Sequence, residues 1–122
     1  MEEKITLDHG SGGFKTSQLI EDYILQVFPG KALHERKDGA VLKNETAPIV
    51  VSTDSFVVDP WNFPGGNIGK LAICGSVNDV LMSGGIPSYL TLSLILEEGF
   101  LLSDLKKVIG AVKETADQAK VE

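Results

Sequence analysis

The sequence predicts an α+β fold, a two-layer sandwich of helices on a mixed, mostly antiparallel sheet. Three observations predict it. Apolar residues recur at helical period in three separate windows, near residues 15–28, 68–84 and 103–120. Two stretches between them, 48–60 and 87–98, are β-branched and aromatic or strictly alternating. The order helix, strands, helix, strand, helix holds no repeat, low-complexity tract or linker, so residues 1–122 read as one domain.

Residues 10 to 13, GSGG, form a flexible segment ahead of FKTSQLIEDYILQVF. Apolar positions 19, 20, 23, 24, 27 and 28 of that stretch define a helix over about 15–28, stopped by Pro29-Gly30. KALHERKDGAVLKNETAP is polar, with Asp38-Gly39 as a turn and AVLK as a short strand. PIVVSTDSFVVDP, bracketed by prolines, reads as a strand bent or interrupted around Asp54, and WNFPGGN as a loop. A helix follows from Ile68 to about Gly84, ended by Gly84-Gly85. In PSYLTLSLILEE, Tyr89, Thr91, Ser93 and Ile95 alternate with Leu90, Leu92, Leu94 and Leu96, a strand with one greasy face. Ser103 is the expected N-cap of DLKKVIGAVKETADQAK, whose apolar residues 105, 108, 109, 112 and 116 share a stripe. No stop signal closes this last helix, as in a chain cut at a helix end.

Seventeen acidic residues against eleven Lys and Arg leave a formal charge of −6 without a basic cluster, which argues against general nucleic-acid binding. No stretch approaches the ~20 apolar residues of a membrane span. The opening MEEKITLDHGSGG has no apolar signal core, so the expected location is cytoplasmic. Cys74 is the single cysteine; inside LAICGSV it reads as a small buried hydrophobe. A monomer of this size leaves about a third of its unfolded surface wet. The leucine face and the apolar edge Ile49, Val51 and Val57 therefore point to a homodimer through the sheet.

Asn78 and Asp79 stand side by side in the apolar run LAICGSVNDVLMSGG. At 100° per residue Ala72, Gly75 or Ser76, Asp79 and Ser83 share a stripe of small residues, next to one of Leu71, Cys74, Asn78 and Leu81. A carboxylate on a small-residue face is open to a metal ion or a phosphate-bound cation; a solvated surface acid is the alternative. Asp54, between Thr53 and Ser55, suits either a Mg²⁺ ligand or a turn. HGSGG, residues 9 to 13, offers backbone N–H groups for a phosphate or is a loose terminal arm, and it lacks the spacing of a P-loop or dinucleotide fingerprint. His9 is a ligand or base candidate, although a lone histidine beside glycines is usually neither; Lys15 and Lys70 are candidate phosphate partners, and because Lys70 lies about 180° around the helix from Asp79 they are not expected to serve one ligand within one subunit.

LDHGSGGFKT, STDSFVVDPWNFPGGNIGKLAICGSVNDVLMSGGIPSYLTLSLILEEGF and LSDLKKVIGAVKETA together resemble the N-terminal domain of the HypE-type hydrogenase maturation proteins, in the aminoimidazole ribonucleotide synthetase superfamily. The resemblance covers nearly the whole chain. It implies an ATP-dependent enzyme that dehydrates a thiocarboxamide on its own C-terminal cysteine to a thiocyanate, with HypF supplying the carbamoyl group. The cyano group then goes to iron on the HypC–HypD complex. It further implies Mg²⁺ and ATP as cofactors, with Asp54 and Asp79 on the metal. His9, Gly10, Ser11, Gly12, Gly13, Lys15, Lys70 and Asn78 would serve the nucleotide, and residues 1–14 are expected to form a flexible glycine-rich arm. Phe14 stands where such proteins often carry a lysine. The second domain and the cysteine tail of a full-length member are absent, and Cys74 does not match the tail. The chain alone is thus expected to be catalytically inactive with weak ATP affinity. Selenophosphate synthetase and thiamin monophosphate kinase types, or a non-catalytic dimerisation module, are the competing readings.

Overall fold

The computed structural model describes residues 3–34 and 49–122. Helices with a small antiparallel sheet make the fold α+β, as the sequence predicts. The expected Asp38-Gly39 turn and the AVLK strand lie outside the described residues. The chain divides into two compact units: residues to 41 with 92–109, and residues 42–91 with 110–122.

The first unit ties down its N-terminal segment by pairing. Lys4 bridges Leu101 antiparallel, and Ile5 donates to the Phe100 carbonyl at 2.7 Å while accepting from Gly99 at 2.8 Å. A single 3₁₀ turn at Leu7–Gly10 leads into α1, Phe14–Leu19. The helix then continues with π winding over Ile20–Leu25, a change of pitch that the periodicity does not announce. α2, Lys31–His34, follows. Ile5, Leu102, Leu105 and Ile109 form the core, with Leu19, Tyr23, Ile24 and Phe28 packed against it. Burial first, then the nearby Glu3 and Asp22, pushes the Tyr23 phenol above its ordinary pKa.

In the second unit WNFPGGN is a hairpin rather than a plain loop. β1, Asn62–Phe63, and β2, Gly66–Asn67, pair antiparallel around Pro64-Gly65, with Phe63 opposite Gly66. Asn67 then caps α3, Ile68–Met82, its Oδ1 accepting from the N–H groups of Gly69 at 2.9 Å and Lys70 at 3.2 Å. The helix ends as Gly84-Gly85 predicts. Gly84 takes a φ of 78°, and Gly85 donates back to the Val80 carbonyl at 2.9 Å.

α4, Leu102–Ala119, supplies its first eight residues to the first unit and the rest to the second. Ser103 is therefore inside the first turn and not the cap. The predicted stripe holds, with Leu105, Val108, Ile109, Val112 and Ala116 all buried. Thr115, buried among them, donates to the Ala111 carbonyl at 2.7 Å. The helix does stop: Lys120 turns left-handed at φ 59° and Val121 donates to the Ala116 carbonyl at 3.1 Å. The sequence hides that stop because a lysine occupies the position that glycine usually fills.

The strands expected over 48–60 and 87–98 carry no ladder among the described residues. Glu122 alone flanks Tyr89 in the manner of a parallel neighbour, donating to the Ser88 carbonyl at 3.0 Å and accepting from Leu90 at 2.6 Å. A strand needs a neighbour as well as a pattern, and β-branched sequence supplies only the pattern. Among the described residues no helix is long and apolar enough to cross a membrane.

Candidate functional site

The 50–56 segment keeps its alternation straight through Asp54. Val50 lies against Gly85, where a Cβ on the glycine would come within 3.0 Å of the valine Cβ. Ser52 Oγ donates to Asp79 Oδ2 at 3.2 Å. Asp54 and Phe56 sit over Gly75: a Cβ there would overlap the Phe56 ring and lie 3.6 Å from Asp54 Oδ2. Even-numbered residues thus run along the small-residue stripe of α3, while Val51, Thr53, Ser55 and Val57 are exposed.

This arrangement brings the two predicted acids onto one helix face, one helical turn apart, and both are exposed. Asp79 is fixed twice, by Ser52 at its carboxylate and by Ser83, whose Oγ donates to its carbonyl at 2.9 Å. Asn78 is exposed on the neighbouring stripe. Cys74 is exposed there too, contrary to the buried position expected of it; the apolar sequence around it lies on a helix of which only Gly69 and Ile73 are buried. Two carboxylates and nearby hydroxyls are hard oxygen donors, the set that suits Mg²⁺ completed by phosphate and water. Among the described residues no group of three or more His, Cys, Asp and Glu side chains is arranged for a metal. A cation here would therefore draw most of its ligands from elsewhere.

Lys70 is not brought to this face. Its Nζ donates to the Gly65 carbonyl at 3.5 Å and it lines a shallow groove of about 190 Å³ with Asn67, Glu114, Thr115 and Gln118. The predicted arm residues belong to the first unit and are folded on themselves. Thr6 donates its N–H to His9 Nδ1 at 3.0 Å, which puts the proton of a neutral imidazole on Nε2. Thr16 Oγ1 accepts from Gly12 at 3.0 Å and donates to the His9 carbonyl at 2.7 Å, and Ser11 Oγ donates to the Asp8 carbonyl at 2.8 Å. Lys15 pairs with Asp8 at 3.1 Å, both exposed. Gly10 and Gly13 complete the arm, and Phe14 beside them is exposed. Sequence reading missed Ser52 and Phe56; the period-2 run 50, 52, 54, 56 was the signal that joins them to Asp54.

This α+β chain lays a strap of alternating residues on a small-residue helix, and comparison with known proteins gives its family. Residues 36–122 match the family described as AIR synthase related protein, N-terminal domain, and the chain belongs to that family. Its relatives are more particular. Carbamoyl dehydratase HypE of Escherichia coli (strain K12) is 48% identical over 122 residues, covering 96% of this chain and 36% of the relative. The HypE of Azotobacter vinelandii is 41% identical over 117 residues, covering 96% and 34%. A crystal structure of the hydrogenase maturation protein HypE in complex with ATP superposes with a TM-score of 0.90 at 45% identity, covering 94% of this chain and 34% of that one. The E. coli HypE structure superposes at 0.80 with 46% identity, covering 86% and 34%. The chain spans about a third of the length of these relatives.

Proposed function

We propose that this chain is the metal and nucleotide half of a HypE-type carbamoyl dehydratase. Asp54 and Asp79 hold Mg²⁺ on ATP. The observation that carries the reading is the delivery of Asp54 onto the same face of α3 as Asp79, over Gly75. Likeness to a HypE solved with ATP supports the nucleotide. Magnesium, when bound, neutralises phosphate charge and fixes the geometry of the γ-phosphoryl group. The chain's part is to present the carboxylates of Asp54 and Asp79 to it.

In the whole protein the reaction takes R–S–C(O)NH₂ and ATP to R–S–C≡N, ADP, phosphate and a proton, the carbonyl oxygen leaving on the phosphate and the two amide protons going to the phosphate and to solvent. R–S is a C-terminal cysteine, HypF supplies the carbamoyl group, the HypC–HypD complex receives the cyano group, and the chains pair as a homodimer in the cytoplasm. Lys70 and Asn78 stand outside the Asp54–Asp79 pair and play a secondary part.

The test is a Mn²⁺ titration of the chain with millimolar ATP, followed by amide line broadening. Broadening is expected around residues 54 and 79, with binding about tenfold weaker or worse in Asp54→Ala and Asp79→Ala. Broadening spread over unrelated surface acids, or unchanged in both variants, overturns the reading.

A further inference from the structure

We infer that Ser52 is a positioning residue for the metal site, acting through Asp79; the inference rests on the metal and nucleotide reading above. Ser52 Oγ donates to Asp79 Oδ2 at 3.2 Å across 27 positions of sequence. An ionised carboxylate has about four lone-pair sites. One donated hydrogen bond therefore fixes the rotamer and leaves the other oxygen open to a cation. Because side chains alternate along the strap, Ser52 and Asp54 project to the same side, Ser52 meeting Asp79 and Asp54 meeting Gly75 one helical turn earlier. The hydroxyl thus couples the acid on the helix to the acid on the strap and sets the spacing a shared ion would meet. Ser83, which binds the Asp79 carbonyl, fixes the backbone and leaves the carboxylate to Ser52.

Hydrogen bonds that orient a metal-ligating carboxylate typically govern about 10–100-fold in affinity. The experiment measures Mn²⁺ binding in the presence of ATP for the whole chain, its Ser52→Ala variant and the isosteric pair Ser52→Thr and Ser52→Val. Ser52→Ala and Ser52→Val are expected to weaken binding about tenfold or more, and Ser52→Thr, which keeps the hydroxyl, to restore it. In an Asp79→Ala background Ser52→Ala is expected to add nothing, since its only route is through Asp79. Should Ser52→Ala fail to fold, the Thr and Val pair, alike in shape, decides the matter. Normal wild-type binding with Thr and Val alike, or an additive loss in the Asp79→Ala background, overturns the role of Ser52 alone. Failure of the wild-type chain to gather Mn²⁺ near residues 54 and 79 overturns the metal reading itself, and Ser52 with it.

Discussion

Gly75 fixes how closely the strap approaches α3. A Cβ at this position would stand 2.9 Å from Cε1 of Phe56 and closer still to the ring tip, so the ring or the helix must shift. Gly110 on α4 has nothing within 4 Å and serves as the control. Both glycines are helical, so alanine brings the same gain in propensity, about 0.5–1 kcal/mol, at each. Relative to Gly110→Ala, Gly75→Ala is expected to be less stable by about 1–3 kcal/mol in urea unfolding, the usual cost of overpacking. Equal stabilisation by the two substitutions would show that Phe56 moves aside freely. The neighbourhood was partly legible: small residues at helical spacing around Asp79 announced a close approach. What approaches was not: period 2 groups Ser52 and Phe56 with Asp54 and apart from Ser55 and Val57, but only tertiary contact decides that this set meets α3. The exposure of Cys74 was equally hidden, since an apolar neighbourhood in sequence does not say which face of a helix finds cover.

Helix termini show the same divide between local and non-local information. α3 was readable at both ends because its signals are chemical: an asparagine amide for two orphan N–H groups, and a glycine for the left-handed residue. α4 closes with the same backbone hydrogen-bond pattern, from Val121 to Ala116 as from Gly85 to Val80, yet places Lys120 at the left-handed position. An L-residue there costs about 1–2 kcal/mol over its right-handed conformation, partly offset by the smaller backbone entropy it loses on folding. Lys120→Gly is therefore expected to stabilise the chain by about 0.5–1 kcal/mol, read as a higher urea midpoint at unchanged slope. A loss of stability would mean that the lysine side chain contributes more than its backbone costs. The strands were the least legible elements: 48–60 reads as bent or interrupted around Asp54, whereas 50–56 keeps one alternation along α3, and a ladder is a property of two segments while periodicity describes one.

At the scale of the whole molecule the unpaired segments become an argument about association. In the second unit Val51 and Val57 face away from α3, and Val57 is 98% exposed. In the first unit Ile95 is 99% exposed, and Leu92 and Leu94 on the opposite face of that segment are also exposed. Each segment presents β-branched or leucine side chains together with backbone groups that no described neighbour pairs, the combination that recruits another strand. Burying one such Val or Ile is worth about 1.5–3 kcal/mol, so a few of them drawn from two copies offset the cost of association. The negative charge of the chain opposes contact over long range, but at physiological salt it is screened beyond about 8 Å and does not prevent a close apolar contact. Light scattering at micromolar concentration is accordingly expected to give twice the 13.1 kDa chain mass. Val57→Lys and Ile95→Lys, which add a charge at exposed positions and remove nothing from the core, are expected to give monomers with unchanged circular dichroism. A stable wild-type monomer at that concentration, or dimers that survive both substitutions, rules out pairing through these segments.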